Sequence, residues 1–182
     1  MSKKTIGIIV GSLRKDSFNK SIANYVSSVF PEDYEVKFID ISNVDMFNQD
    51  LEDNPPTSWT KLREEVASSD GFLFFTPEYN RSIPAVLKNA LDVASRPYGQ
   101  SVWGGKPAGI VSVSLGAISG FGANHHLRQV LTFLDVYTLQ QPEAYIGNVM
   151  ALLDESGNLS NEGTKEFLKS FVSAFVKFSE KF

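Results

Sequence analysis

The most hydrophobic stretch of the chain is G-F-L-F-F-T, Gly71–Thr76, and the polar segment P-E-Y-N-R-S-I-P follows it directly at residues 77–84. A short apolar run bounded by turn residues is typical of a strand that is covered on both faces, because such a strand has no side facing water. Two other runs share this character, namely T-I-G-I-I-V at residues 5–10 and A-G-I-V-S-V at residues 108–113. These three runs predict buried strands, and residues 71–76 are expected at the centre of a sheet.

Helical patterns alternate with the predicted strands. Apolar residues recur at helical spacing before Pro31, and further helices are predicted at residues 59–67, 84–94, 123–134 and 162–178. Ser82 is predicted to be the N-cap of the helix that has Pro84 in its first turn. Weaker strand signals occur at residues 35–41 and 137–139.

This alternation predicts an α/β fold with a parallel sheet, because parallel neighbours need long, right-handed crossovers that place helices on both faces. Five strands and five helices fit a flavodoxin-like three-layer sandwich with a five-stranded parallel sheet in the order 2-1-3-4-5. We expect residues 1–182 to form one such domain, with the ligand bound beyond the carboxyl ends of strands 1, 3 and 4.

Composition excludes several classes of function. The 182 residues carry a formal net charge of −4 without long charged runs, so we expect neither nucleic acid nor an anionic membrane as a partner. Cysteine is absent, which excludes disulfides, thiolate metal sites and a cysteine nucleophile. No transmembrane stretch and no signal peptide are recognised, so a cytoplasmic protein is expected.

The first predicted ligand loop is G-S-L-R-K-D-S-F-N at residues 11–19, between the first strand and the first helix. A helix N-terminus favours phosphate, and the loop adds the Arg14 guanidinium, the Ser12 and Ser17 hydroxyls and the Asn19 amide. A second interpretation stays open, in which Ser17 only caps the helix and Arg14 is only a solvated charge. The loop lacks both the G-x-G-x-x-G and the P-loop spacing, so a monophosphate such as that of FMN fits better than a dinucleotide or ATP.

The second and third loops are suited to a flat ligand. Prolines stiffen both ends of residues 77–84, where Tyr79 and Asn80 are candidates for contact with a ring and its polar edge. The alternative is that Tyr79 packs on the surface and Asn80 serves the turn. The third loop, S-L-G-A-I-S-G-F-G-A at residues 114–123, allows close approach of its backbone at Gly116, although its glycines also suit a plain connection.

Together these segments resemble the NADPH-dependent FMN reductase family of flavodoxin-like proteins, which includes quinone, chromate and azo-dye reductases. The resemblance rests on G-S-L-R-K-D-S-F-N, on T-P-E-Y-N-R-S-I-P-A-V-L-K-N-A-L-D and on S-L-G-A-I-S-G-F-G-A-N-H-H-L-R-Q-V-L. It implies that FMN is held at its phosphate and ribityl end by one set of residues and along its ring by two others. The phosphate and ribityl set is Ser12, Arg14, Ser17, Phe18 and Asn19. The two sets along the ring are Pro77, Glu78, Tyr79 and Asn80, and Ser114, Leu115 and Gly116.

The resemblance also implies an activity. NADPH or NADH would reduce the FMN, which would then pass electrons by a ping-pong mechanism to quinones, azo dyes, nitro compounds, metal oxyanions or free flavin. The flavin is the catalyst, so no catalytic side chain is assigned. Family likeness further implies a homodimer or homotetramer in which the loop around Arg81 meets substrate or the neighbouring chain.

Two alternatives of a different class remain. One is a flavodoxin-type electron carrier that docks to protein partners without NAD(P)H turnover, and the other is a phosphate-binding domain without redox activity. A metal site at His125 and His126 is not expected, because adjacent helical residues point about 100° apart. The acidic stretch at residues 45–53 is expected either at a dimer surface or as a rim over the flavin.

Overall fold

The continuous apolar runs form the middle of a parallel sheet. The structure, a computed structural model, describes residues 3–182. Within them the strands are β1 (Lys4–Val10), β2 (Tyr34–Ile39), β3 (Gly71–Thr76), β4 (Pro107–Val113), β5 (Tyr137–Thr138) and β6 (Ala144–Ile146). Neighbouring strands pair in the order β2-β1-β3-β4-β5, as the sequence predicted, and every residue of β3 and β4 is buried.

Helices cover both faces of the sheet. They are α1 (Phe18–Ser28), α2 (Thr57–Ala67), α3 (Ala85–Ala94), α4 (Phe121–Phe133) and α5 (Glu162–Ser179). The side chains of α1 and α5 pack with Ile6 and Ile8 on one face, and those of α2, α3 and α4 pack with Ile9 and Phe74 on the other. The flavodoxin-like three-layer arrangement is therefore confirmed.

Two local predictions were wrong. The fifth predicted strand is present as β5, but the sheet of the described residues has six strands instead of five, because β6 also pairs with β4 and has no counterpart in the sequence prediction. Ser82 is not the N-cap of α3, since Pro84 occupies that position without a side-chain cap. The Ser82 hydroxyl instead lies 2.7 Å from Nδ1 of His126 on α4.

The carboxyl ends of β1, β3 and β4 lie side by side and bring three loops together. The Gly11 N–H donates to the carbonyl of Phe75, 2.8 Å away, which joins the first loop to β3. A Cβ atom at position 11 would lie 3.2 Å from Cδ2 of Leu87, so glycine allows this close approach. Across residues 3–182, no helix combines the length and hydrophobicity that crossing a bilayer requires.

Candidate functional site

The three loops enclose one cleft of about 620 Å³, which we call the main cleft. Its volume lies in the range of small-molecule and cofactor sites. Most of the residues predicted to bind a cofactor line it, and one unpredicted residue of β4, Val113, joins them. The lining residues are Ser12, Arg14, Phe18, Asn19, Pro77, Glu78, Tyr79, Val113, Ser114, Leu115 and Gly116.

Ser17 and Asn80 are the predicted binding residues that do not line the main cleft. The Ser17 hydroxyl caps α1, where it accepts a hydrogen bond from the Lys20 N–H at 3.3 Å. Asn80 lies in a tight hairpin in which Tyr79 and Ser82 exchange backbone hydrogen bonds of 2.9 and 3.0 Å. Its φ of 51° and the φ of 65° at Arg81 match a turn that favours asparagine at the first central position. Both residues thus have a role in the local fold, and their contact with a cofactor stays a prediction.

The first loop places a cation and an unpartnered acceptor at one end of the main cleft. The Arg14 guanidinium lies 4.4 Å from the ring centroid of Phe18, at the N-terminus of α1. Asn19 is 4 % exposed, and its Oδ1 atom has no hydrogen-bond partner. A buried acceptor without a partner is unfavourable, so this atom is suited to a donor supplied by a ligand.

The second loop is fixed to α4 through Glu78. One carboxylate oxygen accepts the Ala123 N–H at 3.0 Å, and the other lies 3.1 Å from Nη1 of Arg81. Gly120, the N-cap of α4, provides no side-chain cap, so Glu78 takes over part of that function. A carboxylate near a helix N-terminus also interacts favourably with the helix dipole.

The third loop is held in place by a backbone contact with β6. The Ser114 N–H donates to the carbonyl of Ile146 at 2.9 Å, and the Ser114 hydroxyl donates to the carbonyl of Gly116 at 2.9 Å. A Cβ at Gly147, directly after β6, would lie 2.9 Å from the same Gly116 carbonyl oxygen. The short strand that the sequence did not predict therefore defines the position of this wall of the main cleft.

The two histidines of α4 support neighbouring segments. His126 contacts Ser82 of the Tyr79–Ser82 hairpin, and Nε2 of His125 lies 3.0 Å from the Tyr145 hydroxyl. Burial, followed by the interaction with Glu143, raises the pKa of Tyr145 to about 12, so the hydroxyl stays protonated at neutral pH. Within residues 3–182, no group of three or more His, Cys, Asp or Glu side chains is arranged to hold a metal ion.

Sequence reasoning missed the role of Asn89 in the segment L-K-N-A-L-D. Its Oδ1 accepts the Phe47 N–H at 2.8 Å, and its Nδ2 donates to the carbonyls of Val44 and Asp45, each at 3.2 Å. An asparagine on the apolar face of an amphipathic helix is the sequence signal that could have revealed this role. The acidic stretch at residues 45–53 is thus fixed against α2 and α3, and none of its residues lines the main cleft. Its place at a dimer surface stays a prediction.

FMN fits the residues that line the main cleft. The Arg14 cation and the N-terminus of α1 suit a phosphate, and the unpartnered Asn19 oxygen suits a hydroxyl donor such as those of a ribityl chain. The second and third loops form two walls of the cleft, whose lining is largely apolar, as a planar ring system requires.

Comparison with known proteins shows which family the chain resembles. The family model for NADPH-dependent FMN reductase matches residues 5–151. A quinone reductase from Pseudomonas putida is 51 % identical over 173 residues, covering 94 % of this chain and 92 % of the relative. A 2-hydroxy-1,4-benzoquinone reductase from a Burkholderia species is 45 % identical over 171 residues, covering 94 % and 93 %.

A solved structure shows the same likeness. The flavoenzyme FerB, an NAD(P)H:(acceptor) oxidoreductase from Paracoccus denitrificans, superposes with a TM-score of 0.91 at 38 % identity, covering 98 % of each chain. The chain can be assigned to a family without reference to any single motif. The assignment rests on the family match over residues 5–151 and on the relatives at 45 % and 51 % identity. The chain belongs to the NADPH-dependent FMN reductase family and is an oxidoreductase with FMN as its cofactor and NAD(P)H as its reductant.

Proposed function

We propose that this enzyme oxidises NAD(P)H and reduces small aromatic acceptors, quinones above all, by a ping-pong mechanism at FMN bound in the main cleft. The observation that carries the proposal is that one cleft brings together the cationic loop of Arg14, the wall that contains Pro77 and Tyr79, and a second wall at Ser114–Gly116. When bound, FMN supplies the redox chemistry, accepting a hydride from a nicotinamide and releasing electrons to an acceptor.

The protein residues bind and orient. Arg14 and the first turn of α1 would hold the phosphate, and the Asn19 oxygen would accept a hydrogen bond from the chain that links phosphate and ring. Ser12, Pro77 and Ser114 line the space between these groups. No side chain of the main cleft is assigned a proton-transfer step, because FMN itself supplies the redox chemistry.

The rim of the main cleft favours flat, apolar acceptors. Tyr79 and Leu115 line the cleft and are 53 % and 59 % exposed, so each presents apolar surface at the opening. The names of the Pseudomonas and Burkholderia relatives specify quinone substrates for those proteins. An opening of this kind selects weakly, so azo dyes, nitro compounds, free flavin and metal oxyanions are proposed as secondary acceptors.

Initial rates test the mechanism. With NADH and 1,4-benzoquinone varied in turn, a ping-pong scheme gives parallel double-reciprocal lines, because the nicotinamide product leaves before the quinone enters. Intersecting lines would instead require both substrates to be bound together. The same assay tests the alternative function of a flavodoxin-type carrier, since a carrier consumes almost no NAD(P)H unless a separate reductase is added.

The proposed assembly is a homodimer or homotetramer, with Arg81 near the neighbouring chain. Arg81 is well placed for such contacts, because its side chain is 72 % exposed beside the opening of the main cleft. Sedimentation velocity of the FMN-loaded protein decides between one, two and four chains. A cytoplasmic location stays a prediction.

A further inference from the structure

A second cleft of about 410 Å³ lies beyond the carboxyl ends of β1 and β2, on the other side of the first loop, and we call it the β1–β2 cleft. It shares two wall residues, Ser12 and Arg14, with the main cleft, so the two form adjoining surfaces of one loop. The other residues that line it are Val10, Leu13, Lys20, Phe38, Ile39, Asp40, Ile41 and Ser42.

Three side chains of the β1–β2 cleft differ in chemistry and lie close together. Nζ of Lys20 is 3.5 Å from the ring centroid of Phe38, a residue of the edge strand β2 that is 37 % exposed. Asp40 directly follows β2, and its Oδ1 accepts the Ser42 N–H at 2.9 Å. Hydrogen bonds from Ser42 and the nearby cations Lys61 and Lys20 lower the pKa of Asp40, so its carboxylate is a charged acceptor. The cleft thus combines a cation, an exposed flat ring and a carboxylate.

We propose that the β1–β2 cleft binds the adenosine phosphate end of NAD(P)H. This inference rests on the proposed function, in which the nicotinamide end of the same molecule enters the main cleft. Lys20 and Arg14 face the phosphates, the purine packs against the part of the Phe38 side chain that Lys20 leaves exposed, and Asp40 accepts a ribose hydroxyl. In dinucleotide-binding α/β sheets an acidic residue after the second strand accepts a ribose hydroxyl, and Asp40 occupies the corresponding position here, although the first loop lacks the glycine spacing of those folds.

Continuity between the clefts favours a dinucleotide over an unrelated metabolite. NAD(P)H consists of two nucleotides joined by a pyrophosphate, so a molecule with its nicotinamide at the flavin has a second nucleotide to place. The shared Arg14 lies between the two sites, where the negatively charged linker would cross. A cation there compensates the charge that the linker brings.

Asp40 gives the proposal a consequence for specificity. A carboxylate accepts a hydrogen bond from the ribose 2′-hydroxyl of NADH but repels the 2′-phosphate of NADPH. Asp40→Asn keeps the shape and removes the charge. We expect this variant to raise the ratio of kcat/KM for NADPH to that for NADH about tenfold, which is the size of one charged hydrogen bond.

The direct test measures nucleotide binding on the FMN-loaded protein. Titration calorimetry with 5′-AMP is expected to show binding that Lys20→Ala and Lys20→Met weaken about tenfold, with flavin content unchanged. The KM for NADH is expected to rise by a similar factor in both variants. Lys20→Met keeps the apolar stem against Phe38 and so separates loss of charge from loss of packing. Lys15→Ala is the matched control, because it removes a neighbouring exposed cation that does not line the β1–β2 cleft.

Three outcomes distinguish failure of the proposed function from failure of this inference. Wild-type protein that contains FMN but does not oxidise NAD(P)H would refute the proposed function and this inference with it. Normal turnover combined with unchanged KM and unchanged 5′-AMP affinity in the Lys20 variants would refute this inference alone. Release of FMN by 5′-AMP would also overturn it, since the nucleotide would then occupy the main cleft.

Discussion

The Glu78 carboxylate accepts a hydrogen bond from the Ala123 N–H at 3.0 Å and thereby joins the loop after β3 to the first turn of α4. The contact depends on Gly122, where a Cβ atom would lie only 2.9 Å from the Glu78 oxygen and 3.3 Å from the Arg81 carbonyl oxygen. A wall of the main cleft and a helix that does not line it are therefore coupled through two residues. Because of this coupling, we expect alanine at position 122 to destabilise the protein, although helix propensity alone predicts the opposite.

Gly122→Ala is expected to lower the free energy of unfolding by about 1 kcal/mol, although alanine in a helix normally gains up to about that amount over glycine. The new methyl group displaces the Glu78 carboxylate and leaves the N-terminus of α4 without its charged acceptor. Urea unfolding of the flavin-free protein measures the change.

Gly163→Ala is the matched control for Gly122→Ala, because Gly163 occupies the same second position of α5 and has only a 3.5 Å contact with Asn161. This control is expected to be neutral or stabilising. If Gly122→Ala and Glu78→Gln were fully additive in the double variant, the proposed shared mechanism would be wrong.

Asn19→Leu is expected to act in opposite directions on the flavin-free and flavin-bound protein. Removing a buried acceptor without a partner relieves a desolvation penalty, so we expect the flavin-free protein to gain about 1 kcal/mol. The stabilisation that added FMN provides is expected to shrink, because its ribityl chain loses an acceptor. Thermal unfolding with and without FMN measures both effects, and a less stable flavin-free variant would contradict the assigned role.

Arg14→Ala is expected to weaken FMN binding about tenfold, the scale of one hydrogen bond to a charged phosphate. Quenching of FMN fluorescence during titration of the flavin-free protein gives the dissociation constant. Lys15→Ala serves as the comparison, since it removes the same charge from the same loop without touching the main cleft. Equal affinity in wild type and Arg14→Ala would remove Arg14 from the phosphate site.

Asn89→Asp is expected to lower the free energy of unfolding by about 2 kcal/mol at pH 7. The new carboxylate would face the two carbonyl oxygens to which the Asn89 amide now donates hydrogen bonds. Burial next to those oxygens raises the pKa of the new carboxyl above its unfolded value. The deficit is therefore smallest at low pH and grows as the pH rises through the folded pKa. Chemical unfolding between pH 4 and about 8 tests this sign, with the exposed Asn54→Asp as a comparison whose pH dependence is expected to be much smaller, because its carboxylate stays in water.

The sequence predicted what depends on local pattern. Continuous apolar runs identified β1, β3 and β4, and the order of loops along the chain placed Arg14, Tyr79 and Ser114 at one edge of the sheet. Prediction failed where a residue's partner lies far away in the chain. Ser82 has the composition of a cap, yet its hydroxyl meets His126, 44 residues later.

Two further features were beyond pattern reasoning for the same physical reason. The strand β6 has three residues, which is too short for a hydrophobic period, and it forms only because β4 offers it a parallel edge. Asn89 holds residues 44–47 through three hydrogen bonds that no spacing along α3 indicates. Tertiary contacts of this kind decide the final position of the walls without leaving a local signature.

The division of the last sheet position between β5 and β6 also limits how copies of the chain can associate. An uninterrupted edge strand presents a row of free N–H and C=O groups that can template the strand of another molecule. Here the chain leaves the sheet between Thr138 and Ala144, so neither segment offers more than three consecutive residues. The opposite edge, β2, alternates charged Glu35 and Lys37 along its exposed side. Growth of a sheet across subunits is thus disfavoured at both edges, which leaves the helix and loop surfaces for ordered assembly.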